Sequence, residues 1–473
     1  MTDKEGKEKP SLAKEMTLRD YIFLAVGTII GTAWAILTGN IIGEAGPVGA
    51  VMAFIFGGLL LIPIGLAYAE LTACMPVAGG PITHSYRAFG SFSSFLTGWA
   101  YVLGYLPLCA WESVSLGAII GWIIPGMSTM PLYTIGAYTI YLPQLLVSLL
   151  STIIFTVINV VGIKLSAKFQ NIMTVILFIC GFVIVAAGLL YGKVENMQPI
   201  LIGGTAFESL GKILRVLVTF VIFLMCGFET VPQQAEEKTT KFEPKQFGIP
   251  IILGIALAAM FYISIIVATS MVVPWPSLLS MELPLFDAFK AAFKLPIIVY
   301  LVTICALMGL LTTFNGLFMA GARILLALGR ERLIPETFVK IHPKFNTPHI
   351  AVIFIGVTTF IGTFFGKSIW LPLVNVTAVG FALSWLFETA AALKLKFSEP
   401  DLPRPFMMYG GKATAAIGVV TCISFIVLLL LPGSPAQITW PIEYLILVAW
   451  LIIGVALYYY PKSSYLKHTF IKK

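Results

Sequence analysis

Charge is scarce in this sequence: only 11% of its 473 residues are Asp, Glu, Lys or Arg, less than half of the roughly 25% usual in soluble domains. A water-soluble chain of this length could not cover its surface with so few. Histidine is scarcer still. His84, His342, His349 and His468 are all expected in loops or tails on the cytoplasmic side, so an intramembrane haem or metal centre would lack ligands. The six cysteines fall in or at the ends of apolar blocks, which suits buried small hydrophobes better than disulfides. The opening MTDKEGKEKPSLAKEM has no apolar core or cleavage site behind it and is expected to be a cytoplasmic tail. Strand-length alternation is absent, which excludes a membrane barrel. No carboxylate ring or filter-like sequence points to a channel, and the short loops leave no room for a receptor's ligand domain.

What is abundant is apolar sequence. Hydrophobic residues make up 58% of the chain and gather in blocks near the 20 residues that cross a bilayer core as a helix. We expect an all-α integral membrane protein with twelve spans at about 20–43, 48–74, 94–124, 138–160, 168–191, 213–234, 247–273, 295–327, 349–366, 370–395, 413–432 and 441–460. With both termini cytoplasmic, about 24 of the 30 Lys and Arg residues fall inside and about 6 outside, a strong positive-inside bias. The net charge of +8 then reflects orientation in the membrane, and no nucleic acid partner is expected.

Spans 1–5 (residues 20–191) and spans 6–10 (residues 213–395) are similar in length. Because five is odd, the second set is inverted relative to the first. Residues 1–19 and 461–473 are expected as tails, and 396–460 as helices 11 and 12. The first helix of each half carries glycine at a matching depth, in Gly27-Thr28-Ile29-Ile30-Gly31-Thr32-Ala33-Trp34 and in Phe223-Leu224-Met225-Cys226-Gly227-Phe228-Glu229-Thr230. Glycine permits a break and equally permits close helix packing. A break frees N–H and C=O groups that are costly in lipid unless a ligand takes them.

Three stretches carry a family resemblance: these breaks, residues 68–80 (YAELTACMPVAGG) with 85–90 (SYRAFG), and residues 323–335 (RILLALGRERLIP) with Thr347-Pro348 beyond. Together they resemble the amino acid–polyamine–organocation transporter superfamily over about residues 18–395. The resemblance implies a leucine-transporter-like five-plus-five inverted repeat with helices 1 and 6 broken, and a secondary transporter working by alternating access. It implies that the amides around Gly31 and Thr32 hold a substrate carboxylate. The family's usual second glycine is Ala33 here, and Trp34 either narrows the pocket or packs. Thr28 and Ile29 line the same stretch, while Phe223, Cys226 and Gly227 match pocket positions on the sixth helix. Glu229 matches the family's acidic residue beyond that break, with a role in gating or proton uptake.

On the third span, Tyr101, Tyr105, Leu108 and Glu112 share one helix face by spacing, which by resemblance looks into the site. Glu112 needs a partner there: a substrate cation, a proton or a neighbouring donor. Glu388, Arg323, Lys212 and Arg215 are expected to pack or snorkel near span ends. Beyond Lys168 at its start, no lysine stands on the fifth span, where Leu177 takes the place that related sodium-independent members give to one. Thr312 and Thr313 match a possible sodium site, leaving Na+, H+ or exchange open as the driving force. The expected protein is a plasma-membrane permease for a small amino acid or amine, monomeric or homodimeric, with no resident cofactor and no enzymatic activity. An organic-cation permease without carboxylate recognition, or a non-transporting nutrient sensor of the same fold, are the alternatives.

Overall fold

A computed structural model describes residues 12–293 and 295–470, so most of the tail expected at 1–19 lies outside the described residues. The chain enters its first helix at Thr17. The Thr17 hydroxyl accepts from Asp20 N and the Asp20 carboxylate accepts from Thr17 N, a reciprocal cap that fixes the helix start. In order the helices are α1 (Leu18–Ile29), α2 (Ala33–Cys74), α3 (Gly80–Phe89), α4 (Ser91–Ile123), α5 (Leu142–Val161), α6 (Ile163–Tyr191), α7 (Ala206–Arg215) and α8 (Ile222–Met225). They continue as α9 (Thr230–Gln233), α10 (Gly248–Val272), α11 (Pro284–Ala292), α12 (Pro296–Arg330), α13 (His349–Gly362), α14 (Trp370–Ser398), α15 (Gly411–Leu430) and α16 (Ile442–Phe470). Ten helical stretches among the described residues are long and apolar enough to cross a membrane.

Two of those stretches fold back on themselves. The first continues the course of α1 along α10, where Gly254 meets Ala25 of α1 and Phe261 packs on Trp34. After Gly46 (φ +77) the chain returns down the same helix, with Ala259 against Gly58 and Ile255 against Gly65. The second stretch treats α4 likewise. Gly362 meets Ala110 on the way up, and after Gly366 (φ +58) the chain descends with Trp370 on Trp111 and Gly380 on Gly104. With no hydrophobic drive between helices in lipid, such small-residue crossings let dispersion contacts hold the bundle.

The fourth helix starts later than the expected residue 138. Tyr138–Tyr141 instead form strand β2, paired antiparallel with β1 (Pro131–Ile135). Tyr, Thr and Ile favour a strand, and Pro143 in the first turn begins α5.

Two polar residues, His84 and Arg323, differ from expectation, and Glu388 takes the packing role of the two expected for it. His84 lies inside α3 rather than in a loop, fully buried, with Nδ1 2.7 Å from Glu388 Oε1. Glu388 therefore does not snorkel; it joins α14 to α3. Arg323 is buried as well, gripping Glu237 at 2.6 and 3.0 Å. A buried charge needs a partner more than it needs reach to water, and in each case the fold supplies one. The helix α3 is bracketed by two left-handed glycines, Gly79 (φ +66) and Gly90 (φ +88).

Candidate functional site

The first break spans residues 30–32. The helical ladder of α1 ends where Ile30 N–H donates to Val26 O, and Gly31 N–H doubles back to Ile29 O. It resumes only where Ala35 N–H donates to Thr32 O. Thr32 supplies no side-chain cap, and among the described residues the buried hydroxyls of Thr28 and Thr32 have no partner. Freed carbonyls find donors instead. Trp34 Nε1 donates to Gly31 O at 2.7 Å, and the Tyr262 hydroxyl of α10 lies 2.6 Å from Ile29 O. Trp34 is buried, edge-on to Phe261, while Ala33 opens the next helix. Gly309 of α12 packs directly on this break, where a β-carbon would collide with Gly31 O.

The second break lies at residues 226–229. A π-helical turn at Val216–Val221 precedes it, a feature common near functional sites. Cys226 ends α8 in an extended conformation, and Gly227 takes φ +125, a conformation that side chains rarely adopt. The two breaks touch: a β-carbon at Gly227 would sit 2.8 Å from Ile29 N. Tyr262 joins them, since its hydroxyl also lies 2.9 Å from Leu224 O. The chain passes the two breaks in opposite directions. The first runs away from Tyr21, while the second runs back to Gln234, whose carbonyl accepts from the Tyr21 hydroxyl.

Two carboxylates serve the breaks. Glu229 accepts the Gly227 N–H at 3.0 Å on Oε2 and the Tyr105 hydroxyl at 3.4 Å on Oε1. The one Tyr105 proton is shared between that oxygen and Gln233 Oε1, which lies nearer at 2.9 Å, and the ring stacks on Tyr101, whose hydroxyl bonds Tyr68. Glu112 reaches the other break. A β-carbon on Gly31 would lie 2.8 Å from Glu112 Oε1 and 3.0 Å from Thr313 Oγ1. Its Oε2 is buried and has no hydrogen-bond partner among the described residues. The shared face of α4 thus divides, with Glu112 at the first break and the tyrosines at the second.

The remaining expected residues fall around this centre. Phe223 meets Trp111 edge-on at 5.7 Å, and Cys226 turns its thiol to Phe223 O. Thr313 donates towards Gly27 O and Thr28 O at 3.1 and 2.9 Å, whereas Thr312 bonds its own helix at Met308 O and Gly309 O. Beside them, a chain of amides fixes Gln170: Asn315 Nδ2 donates to Gln170 Oε1, and Asn159 Nδ2 donates to Asn315 Oδ1. Gln170 Nε2 is thereby turned towards Gly27, without a partner among the described residues. The described residues contain no group of three His, Cys, Asp or Glu suited to a metal ion.

The two ends of the bundle differ. At the end where α1 begins, Arg323 holds Glu237, Arg330 holds Glu236 and Met16 N–H donates to Glu237 O. Burial pushes the Glu237 carboxyl up despite Arg323. Burial also works on Glu236, but the Arg330 guanidinium outweighs it and holds that carboxyl below its usual range. At the opposite end a cleft of about 400 Å³ reaches down to Ile36, Leu37 and Trp370. Trp370 rests on Trp111, which in turn meets Phe223, so an aromatic layer lies between cleft and breaks.

Sequence reasoning missed Tyr262, Gln233, Gln170 and Gly309. Tyr262 left a usable signal, because a phenol inside an apolar span requires a partner.

The amino acid permease family model matches residues 16–455. A branched-chain amino acid permease of Bacillus subtilis is 26% identical over 459 residues, covering 95% of this chain and 93% of the relative. A methylthioribose transporter of the same organism is 26% identical over 99% of this chain and 97% of its own length. Cationic amino acid transporter 9 of Arabidopsis thaliana, a chloroplastic protein, is 29% identical over 70% of this chain and 58% of its own. With its many apolar helices, the chain is a multi-pass membrane transporter rather than an enzyme, and it belongs to the amino acid permease family.

Proposed function

We propose that the chain is a secondary transporter for a small amino acid, bound where the two breaks meet. The observation that carries this reading is their antiparallel contact. At one crossing it sets the N-terminus of α2, which has no cap from its own Thr32 side chain, and the carbonyl end of α8 on one side, and the carbonyl end of α1 and the N-terminus of α9 on the other. A helix N-terminus favours a carboxylate and a carbonyl end an ammonium, so the crossing is complementary to a zwitterion. In this reading Thr28, Ile29, Gly31, Thr32, Ala33, Trp34, Phe223, Cys226 and Gly227 frame the substrate. Glu229 links substrate occupancy to gating through Tyr105, and Tyr101 supports that tyrosine. Twelve passes follow from dividing the ten stretches at Gly46 and Gly366, giving two inverted sets of five followed by two helices. The Lys and Arg bias supports cytoplasmic termini in the cell membrane.

For the driving force, the residues fit sodium poorly. Thr313 and the carbonyls of Gly27 and Thr28 offer oxygens, but the amide network turns an N–H donor, Gln170 Nε2, towards Gly27. A donor repels a cation, so proton coupling or exchange is the preferred reading.

One observation favours a second reading. Glu112 already presents a carboxylate at Gly31, where the substrate's own would lie. A protonated Glu112 accommodates a zwitterion; an ionised one favours a substrate with an additional amine, or an amine lacking a carboxylate. Uptake into proteoliposomes distinguishes these, using neutral amino acids, cationic amino acids and decarboxylated amines, with and without sodium at fixed pH. Accumulation of an amino acid in sodium-free buffer is expected. Uptake confined to decarboxylated amines overturns the carboxylate assignment, undetectable uptake without sodium overturns proton coupling or exchange, and binding without flux points to a sensor.

A further inference from the structure

Two grooves of about 660 and 530 Å³ adjoin at Lys14 and Thr239, at the end of the bundle where α1 begins. The larger lies between the start of α1 and the start of α6, and its walls include Lys14, Arg19, Lys164, Lys168, Asn171 and Ile172. The smaller adds Lys241. Lys14, Lys164, Lys168 and Lys241 are exposed and form no ion pair among the described residues. Two acids share the larger groove. Asp20 is engaged with Thr17 N–H and Asn171 Nδ2 at 2.8 and 2.6 Å, and Glu15 is exposed to solvent. The groove therefore keeps an excess of positive charge.

A second feature decides what that charge faces. On α6, residues 164, 168, 172, 175 and 179 follow one another at helical spacing on one face. The first two are lysines; the next three are Ile172, Val175 and Ile179, all exposed, and Phe182 is 76% exposed beyond them. The face changes from cationic to bare apolar within one turn. That profile matches a bilayer boundary, with ammonium groups at headgroup level and branched side chains against acyl tails.

We propose that this groove binds an anionic glycerophospholipid, its phosphate held among Lys164, Lys168, Arg19 and Lys14 and one acyl chain lying along Ile172 and Ile179. A soluble phosphate would use the same cations but not the apolar track. A lipid seated here bridges α6 to the segment entering α1, next to the backbone pairing of Met16 with Glu237 and Thr239. It thereby stabilises the fastened state of that end of the bundle.

The test uses the full chain in zwitterionic nanodiscs, titrated with short-chain phosphatidylglycerol while the melting temperature is followed. Wild type is expected to melt higher as the anionic lipid is added. In Lys164→Gln/Lys168→Gln the concentration for half the shift rises about thirtyfold, the loss of two surface cation contacts. Lys168→Arg keeps the wild-type response, and so does Lys412→Gln, whose ammonium instead lies over Phe397. Equal melting of wild type and double variant in pure phosphatidylcholine confirms that the variant is folded. The proposal is overturned by a wild type indifferent to phosphatidylglycerol, by a double variant with an unchanged response, or by inorganic phosphate producing the same shift.

Discussion

The two helix breaks meet at van der Waals distance, yet they satisfy their freed groups in different ways. The second is closed internally. Glu229 takes the Gly227 N–H on one oxygen and the Tyr105 hydroxyl on the other, and Thr230 bonds Gly227 O through both its N–H and its hydroxyl. The first is left partly open. Trp34 and Tyr262 answer its carbonyls, but Thr28 Oγ1, Thr32 Oγ1 and Glu112 Oε2 are buried without partners among the described residues. A buried polar atom without a partner costs about 1–3 kcal/mol. At the second break Gln233 Nε2 is likewise buried without a partner among the described residues, so the contrast lies in the oxygens: the unpartnered ones gather at the first break, where a donor could satisfy them. Under the proposed function, Glu229 holds and moves the protein, while Glu112 and its threonines meet the substrate.

Four substitutions break or sharpen that contrast. Gly227→Ala places a β-carbon at φ +125 and 2.8 Å from Ile29 N. It should destabilise by about 3 kcal/mol, read as a lower melting temperature together with loss of uptake. Glu229→Gln keeps the shape but replaces one of the two acceptor oxygens that serve the Gly227 N–H and the Tyr105 hydroxyl with an amide donor, at about 2 kcal/mol; an unchanged melting temperature would show that the second break is not closed by this residue. Tyr262→Phe removes the hydroxyl shared by both breaks and should cost about 1 kcal/mol, measured by denaturant unfolding in mild detergent. Glu112→Gln is expected to cost no more than about 1 kcal/mol, since the amide oxygen can still accept the Thr32 N–H and Oε2 has no protein bond to lose. It should instead shift the preference between neutral and cationic substrates by about tenfold or more in competition uptake. A stability loss equal to that of Glu229→Gln would remove the distinction between the breaks.

Much of this arrangement was legible in the sequence because membrane folding obeys coarse rules. Apolar blocks located the helices, and Gly31 and Gly227 marked both breaks. The i, i+4, i+7, i+11 spacing set Tyr101, Tyr105, Leu108 and Glu112 on one face. What escaped depends on contacts between distant segments. His84 looked like a loop residue because its partner, Glu388, lies 304 positions away. Arg323 sits near a helix end, where snorkelling is the local expectation, and only the loop after α9 brings Glu237 to it. Gly309 has no local signature, since its role is to let α12 approach the Gly31 carbonyl. The different bonding of Glu112 and Glu229 could not be read from two carboxylates in apolar spans, because the difference lies in their neighbours.

The bracketing of α3 has a mechanical consequence. A β-carbon at Gly90 would meet nothing within 4 Å, whereas one at Gly79 would collide with Ala327 and lie 2.8 Å from Arg323 O. Gly79 N–H is also tied to Gln233 O. Of the two pivots flanking this short helix, one has clearance and the other is seized. His84 and Arg87 fasten α3 to Glu388 and Glu399 at α14, while Ser85 and the Ile82 carbonyl tie it to Ser93, Ser94 and Thr97 of α4, so α3 is a strut keyed to both helices whose slack is confined to the turn at Gly90.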